Sequence, residues 1–502
     1  KLLLPKRIGI IGVSVRRKNF GRIILENILA EGFQKHNITI IREGEESIDD
    51  IKCVASLSAL VKPVDLLVVA VEISQVPDLV AEVISSGCAE AVMVIPGGLG
   101  ETAESIDRAE KVATMINASH AAKDGGPIFL GANCMGVISR PGKYDTWFIP
   151  EEKFPKDRGG SYHRAALISQ SGAFMLHRSH QCPQLRPAYM ISMGNQTDLT
   201  LGDMAHYFKG FADVDVIAVY AEGFSSLDGL EFCRAVRSAV LQGKDVIFYK
   251  AGRTPEGKAA TSGHTASLAG DYMVCENCVQ QAGAIVARNF TEFQDVFFLA
   301  ETLHHKKING NRLAAVSGAG FEAVGMADSI ASDEYRMRLA DFSEHSSWEL
   351  AKIMESKKLS SLVNLTNPLD INPSADDETH ALVARVLVED DGVDALVIGL
   401  DPLSPATLTL DKRLEKLYGM DSEKSIKNLM IALSEESEKP VVAVIDGGRL
   451  YDPLRDTLIN NGIPVFQVCD RAVGALSLYM QGRLDAQRLR SENSSHPASQ
   501  IG

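Results

Sequence analysis

The sequence predicts an α/β protein of parallel sheets arranged as three successive units. Apolar, β-branched runs alternate with helical patterns along almost the whole chain. Runs such as IGII from Ile8, VDLLVV from Val64, VIAVYA from Val216 and VVAVI from Val441 have no polar residue at every second position. Strands buried on both faces read this way, and helices must return the chain between parallel neighbours. At 502 residues the chain also exceeds what one core serves.

Strands are expected near Ile8, Ile38, Leu66, Ala91 and Ile128 in the first unit, and near Ala165, Val216 and Val246 in the second. The third is expected to carry strands near Arg312, Ala395, Val441 and Val465. Two polar breaks, PEEKFPKDRGGSYH from Pro150 and LHHKKINGNR from Leu303, divide the chain into expected domains 1–155, 156–308 and 309–485. Residues 486–502, rich in serine and without periodicity, are expected to be disordered. Ligands of such sheets bind beyond the carboxyl ends of the strands.

A net charge of -14 opposes general affinity for nucleic acid. No apolar run approaches the roughly 20 residues that span a bilayer, and Pro5 interrupts Lys1-Leu2-Leu3-Leu4 too early for a secretory signal. Eight scattered cysteines lack framework spacing, so reduced thiols and a cytoplasmic location are expected. Cys275 and Cys278 form a C-x-x-C within an expected helix, with no second pair to complete a zinc site. No metal site is expected.

In the first unit, IGIIGVS runs from a strand into VRRKNF, and Gly21 opens an expected helix. Backbone amides at the helix start, the Ser14 hydroxyl, and Arg16, Arg17 and Lys18 form a candidate phosphate cradle. Glu43 stands where a nicotinamide-binding fold would hold a ribose, but Gly12 to Gly21 is far longer than the compact G-x-G-x-x-G turn. Coenzyme A, with three phosphates, suits the basic loop better. Arg42 is a candidate partner for its 3′-phosphate. Further along, Asn133 in GANCMG either contacts ligand or stabilises its turn.

In the second unit, ISQSGAF places Ser171, Gly172 and Ala173 between a strand and a helix, a candidate oxyanion seat. Glu222 follows a buried strand, and a carboxylate there needs a partner. His264 sits among small residues in TSGHTASLAG, which leave a backbone that is easily reshaped and approached. It is the candidate phosphoryl-accepting nucleophile, with Glu222 fixing its tautomer. The plainer possibility is that His264 caps or packs against the next helix. Asp198 to Asp203 reads as a capped helix start.

Together IGVS…G, GANCMG, ISQSGA, SMGNQTDLTLGD, AEG and KAGRTPEGKAATSGHTASLAGD resemble the NDP-forming acyl-CoA synthetases, whose catalytic part is similar to the alpha subunit of succinyl-CoA synthetase. The likeness covers about residues 7–482. It implies an N-terminal Rossmann-like CoA-binding domain followed by two flavodoxin-like domains. It also implies that His264 is phosphorylated, Glu222 is its partner, Ser171 and Gly172 belong to the phosphate site, and Gly12, Ser14 and Gly21 to the CoA site. The implied reaction interconverts acyl-CoA, phosphate and ADP with acid, CoA and ATP. Nucleotide and magnesium are then expected on an ATP-grasp partner chain or segment, in a hetero- or homo-oligomer. Glu72, Ala132 and the GHTAS form of the histidine motif depart from the family pattern, which concerns the CoA pocket and acyl specificity. The alternatives are a non-catalytic CoA or acyl-CoA sensor on the same fold and an NAD(P)-dependent dehydrogenase.

Overall fold

The computed structural model describes residues 1–123, 125–264, 271–410 and 419–495, apart from the side chains of 262–264. It divides into two compact units, Lys1–Phe293 and Gln294–Gly502. The first contains two sheets and the second contains one.

The first sheet comprises β1 (Ile8–Ile11), β2 (Ile38–Ile41), β3 (Ser47–Ile48), β4 (Ile51–Val54), β5 (Val64–Val69), β6 (Ala89–Val94) and β7 (Ile128–Gly131). Their order is β3-β4-β2-β1-β5-β6-β7, parallel throughout except for the β3 and β4 pair. Every residue of β1 and β5 is buried, as their unbroken apolar runs require. Asp65, inside β5, is tolerated because it accepts from the backbone amides of Lys6 and Arg7 and from Lys1 Nζ. The helix Phe20–Ala30 follows β1 and buries Ile24, Leu25 and Ile28 completely. Each such side chain contributes roughly 1.5–3 kcal/mol of burial.

The second sheet comprises β8 (Val137–Ser139), β9 (Tyr144–Asp145), β10 (His163–Ser169), β11 (Pro187–Ser192), β12 (Val216–Ala221), β13 (Asp245–Lys250) and β14 (Ile285–Ala287), ordered β14-β13-β12-β10-β11-β8-β9. From β14 to β11 it is parallel. The chain enters it before the polar break read as a boundary, since β8 pairs antiparallel with β11 and β9 with β8. The segment that follows is tied down by charge. Lys156 pairs with the fully buried Asp145, and Arg158 reaches both Asp145 and Glu31.

The third sheet comprises β15 (Arg312–Ser317), β16 (Arg338–Leu339), β17 (Leu369–Asp370), β18 (Ala395–Gly399), β19 (Val441–Val444) and β20 (Val465–Phe466). All its pairings are parallel, in the order β16-β15-β18-β19-β20 with β17 against β15. The expected disordered tail differs from the structure as far as residue 495, because one helix runs from Cys469 to Ser495. Its later turns have work to do: Ala486 is buried and Gln487 Nε2 donates to the Ile308 carbonyl. Residues 496–502 lie outside the described residues.

Candidate active site

In the second sheet, β10 connects to β11 on one side and the chain then returns to place β12 on the other. The crevice beyond the carboxyl ends of β10 and β12 is therefore a topological switch point, where α/β sheets bind ligands. Ser171 follows β10 and caps the helix Gly172–Gln181, its Oγ accepting from the Phe174 amide at 3.2 Å. The amides of Gly172 and Ala173, in the first turn, lack intrahelical partners and face the positive end of the helix dipole. Gly172 is required by close packing, because a Cβ there would stand 2.7 Å from Met135 Cβ. The residues expected to form an oxyanion seat stand at a helix start, where the Ser171 hydroxyl serves as the cap.

Glu222 stands one residue past β12, half-buried, and accepts from the Tyr220 hydroxyl at 3.3 Å. Tyr220 is stacked on Phe174 at 4.0 Å and on Tyr249 at 5.6 Å between ring centroids. Burial, reinforced by the Glu222 charge, raises the tyrosine's pKa, so it stays a donor to the carboxylate. Two residues that the sequence reading did not single out hold the glutamate's backbone. Gln170 Oε1 accepts from the amides of Glu222 and Gly223 at 2.7 and 3.0 Å. Lys250 Nζ donates to the carbonyls of Glu222 and Ala251 at 2.7 and 2.6 Å. Lys250 is only 2% exposed, and burial lowers its pKa.

These parts open on a cleft of about 300 Å³ lined by Ile95, Asn133, Met135, Phe148, Ser171 and Glu222 among others. It draws on strand ends of both sheets: Ile95 follows β6, Asn133 follows β7, Ser171 follows β10 and Glu222 follows β12. Asn133 forms the turn, as one of the two possibilities raised for it has it, and it also lines the cleft. Its φ of 53° is left-handed, its amide donates to the Pro96 carbonyl, and Asn195 N donates to the adjacent Ala132 carbonyl. Cys134, beside it, is inert as a nucleophile because burial pushes its thiol up to about 12.

His264 ends the helix Pro255–His264. Its side chain, and with it the expected pairing with Glu222, lies outside the described residues.

The first sheet has its own switch point between β1 and β5. Gly12 sits there with φ 98°, and a Cβ would lie 2.2 Å from the Ala70 carbonyl oxygen. Gly21 lets the helix approach equally closely, its notional Cβ lying 2.5 Å from the Gly12 oxygen. Both glycines are thus fixed by strand and helix contact. The helix begins one residue before Gly21, capped by Asn19, which accepts from the amides of Ser14 and Arg22 and donates to the Gly12 carbonyl. Ser14 Oγ accepts from the amides of Arg16 and Arg17 at 3.3 and 3.0 Å, shaping the loop from within. Arg16 and Arg17 are exposed beside the helix start, and neither side chain pairs with a described residue. Arg42 points at the same loop, where its Nη1 donates to the Val13 carbonyl at 2.8 Å and its Nε is buried without a partner.

Among the described residues, no group of three His, Cys, Asp or Glu side chains is placed to hold a metal ion. Cys275 and Cys278 lie on the helix Tyr272–Gln281 as free thiols, Cys275 pushed up to about 12 by burial. No described helix is long and apolar enough to cross a membrane.

Each switch point falls within a segment that resembles a known domain. Residues 6–140 match a CoA binding domain, and residues 163–300 match a succinyl-CoA ligase like flavodoxin domain. The chain is 28% identical to the alpha subunit of acetate–CoA ligase [ADP-forming] II of Pyrococcus furiosus, over 95% of this chain and 97% of that subunit. It is also 28% identical to acetate–CoA ligase [ADP-forming] I of Archaeoglobus fulgidus, spanning 95% of this chain but only 63% of that protein. Dinucleotide forming acetyl-coenzyme A synthetase 1 of Ca. Korarchaeum cryptofilum, solved with phosphate and ADP, shares the fold with a TM-score of 0.82 over 99% of both chains at 22% identity. The chain is a homologue of the alpha subunits and domains of ADP-forming acetate–CoA ligases, which are acid–thiol ligases.

Proposed function

We propose that this chain is the CoA-binding, phosphohistidine-carrying component of an NDP-forming acyl-CoA synthetase. The observation that carries the proposal is the cleft that joins the strand ends of the CoA-binding sheet to the Ser171 helix start and to Glu222. Phosphate attacks the thioester carbonyl of acyl-CoA, and the C–S bond breaks to give acyl phosphate and CoA. A ring nitrogen of His264 then attacks phosphorus, releasing the carboxylic acid and leaving phosphohistidine. Transfer to a nucleoside diphosphate completes the cycle and regenerates the imidazole.

In this reading the free amides of Gly172 and Ala173 hold the phosphoryl oxygens, and Glu222 orients the imidazole and balances its charge. Arg16 and Arg17, with the Ser14 turn, hold CoA phosphates, while Arg42 braces the loop and stands nearest the 3′-phosphate. The nucleotide and magnesium belong to an ATP-grasp partner chain or segment, with which this chain forms an oligomer. That the chain matches a separate alpha subunit along its length, but covers 63% of a single-chain ligase, supports this division. The working domains are 1–155, 156–308 and 309–485, except that β8 and β9, from Val137, complete the sheet of the second. Eight free cysteines suit the reducing cytoplasm.

The test is to supply radiolabelled phosphate and acetyl-CoA to the full chain. Acid-labile, alkali-stable label is expected in the parent and absent from His264→Ala. Glu222→Gln is expected to slow labelling about 100-fold or more with CoA affinity nearly unchanged. Label retained by His264→Ala rejects the proposed carrier.

A further inference from the structure

The mechanism above uses the polar residues of the cleft and leaves its apolar lining without a role. That lining is Ile95 after β6, Met135 after β7, and Phe148. An acyl phosphate seated with its phosphoryl group on the Gly172 and Ala173 amides presents its carbon chain to the rest of the same cleft. Among the described residues no lysine, arginine or histidine lines it, so none of them offers a charged acyl tail a counter-charge.

Phe148 is the aromatic residue among the three. Its ring is stacked on Phe20 at 4.4 Å between centroids, with the planes 26° apart. Phe20 is the first residue of the helix that follows the basic loop, and it is otherwise 55% exposed. The backbone on both sides of Phe148 is pinned by one buried side chain, because Asn27 Nδ2 donates to the Trp147 carbonyl at 2.6 Å and to the Ile149 carbonyl at 3.0 Å. Asn27 is 3% exposed and lies on the same helix as Phe20. Trp147 is fully buried and stacks on Phe154. The Asn27 bonds fix the backbone that carries the ring, and swinging the ring aside for a larger ligand breaks its stack on Phe20. Pre-organisation of this kind turns a lining residue into a size filter.

We infer that Phe148, backed by Phe20, forms the end wall of the acyl subsite and sets the size of acyl group the enzyme accepts, favouring short uncharged chains. The inference rests on the ligase reading above. The pair also joins the CoA-side helix to the cleft, so the wall that meets the acyl group is carried partly by the element that begins at the phosphate loop.

The experiment is isothermal titration of the full chain with free CoA, acetyl-CoA and phenylacetyl-CoA, for the parent and for Phe148→Leu, Phe148→Ala and Phe148→Trp. The parent is expected to bind acetyl-CoA in preference to phenylacetyl-CoA. Truncation is expected to shift that ratio by about tenfold or more toward the larger ligand, Phe148→Ala more than Phe148→Leu, and Phe148→Trp is expected to shift it the other way. A ratio that moves less than twofold in the variants that bind free CoA overturns the end-wall assignment and leaves the ligase reading standing. Loss of free-CoA binding by all three variants overturns it too, because Phe148 would then support the CoA loop instead of selecting acyl groups. A parent that binds no CoA overturns the ligase reading and this inference together.

Discussion

Glu322 shows how far one side chain can be driven by its surroundings. It is 4% exposed and accepts from Ser317 Oγ, and burial pushes its carboxyl up to about 7, with Asp446 and Asp401 adding repulsion. Its ordinary value is 4.5, so the fold favours the neutral acid. Its contribution is therefore full below about pH 4.5, falls as the pH rises, and levels off once the folded carboxyl has ionised near pH 7. Glu322→Gln, which stays neutral, is expected to match the parent near pH 4.5 and to be more stable at pH 8 by about 2 kcal/mol. Denaturant unfolding of the Gln294–Gly502 unit at the two pH values measures this, and a gap that does not widen with pH contradicts the account. The same scale explains which site residues could be read in advance. Ser171 and Glu222 directly follow recognisable buried strands, so position alone marked them. Gln170 and Lys250 act on the backbone of a neighbouring strand end, and that relation exists only once β10, β12 and β13 are paired.

Among the elements, strands made of Ile, Val and Leu were legible, because their unbroken runs fit only a sheet covered on both faces. β11 was not. Its sequence PAYMIS opens with proline and mixes small, aromatic and polar residues, yet all six are buried between neighbouring strands. β8 and β9 are too short to carry a pattern, and their pairing is tertiary. The helix through Ser495 was hidden by a polar, serine-containing end that is anchored by contacts distant in sequence. Asn27 has a similar character: a polar residue in an apolar helix whose role is to satisfy two carbonyls of a distant segment. Asn27→Leu is expected to cost about 2–3 kcal/mol by orphaning them. The check is a lowered unfolding midpoint together with faster amide exchange around Trp147 to Ile149, and unchanged exchange there speaks against the pin.

For the molecule as a whole, the three-sheet plan follows from the sequence rhythm, but the way the first two sheets share the chain does not. β8 and β9 come before the polar break yet complete the second sheet, and β11 uses β8 as its neighbour. A fragment of residues 156–308 bares the whole edge of a buried strand, and unpaired edges of that kind template aggregation. It is expected to precipitate, whereas residues 137–308 keep the edge covered and are expected to run as a soluble species on size exclusion. Soluble behaviour of the shorter piece would contradict this. For grafting work, the consequence is that a CoA module exchanged between homologous genes has its natural seam ahead of Val137. A chimera joined at the polar break would import a foreign β-ribbon as the last two strands of the recipient's catalytic sheet.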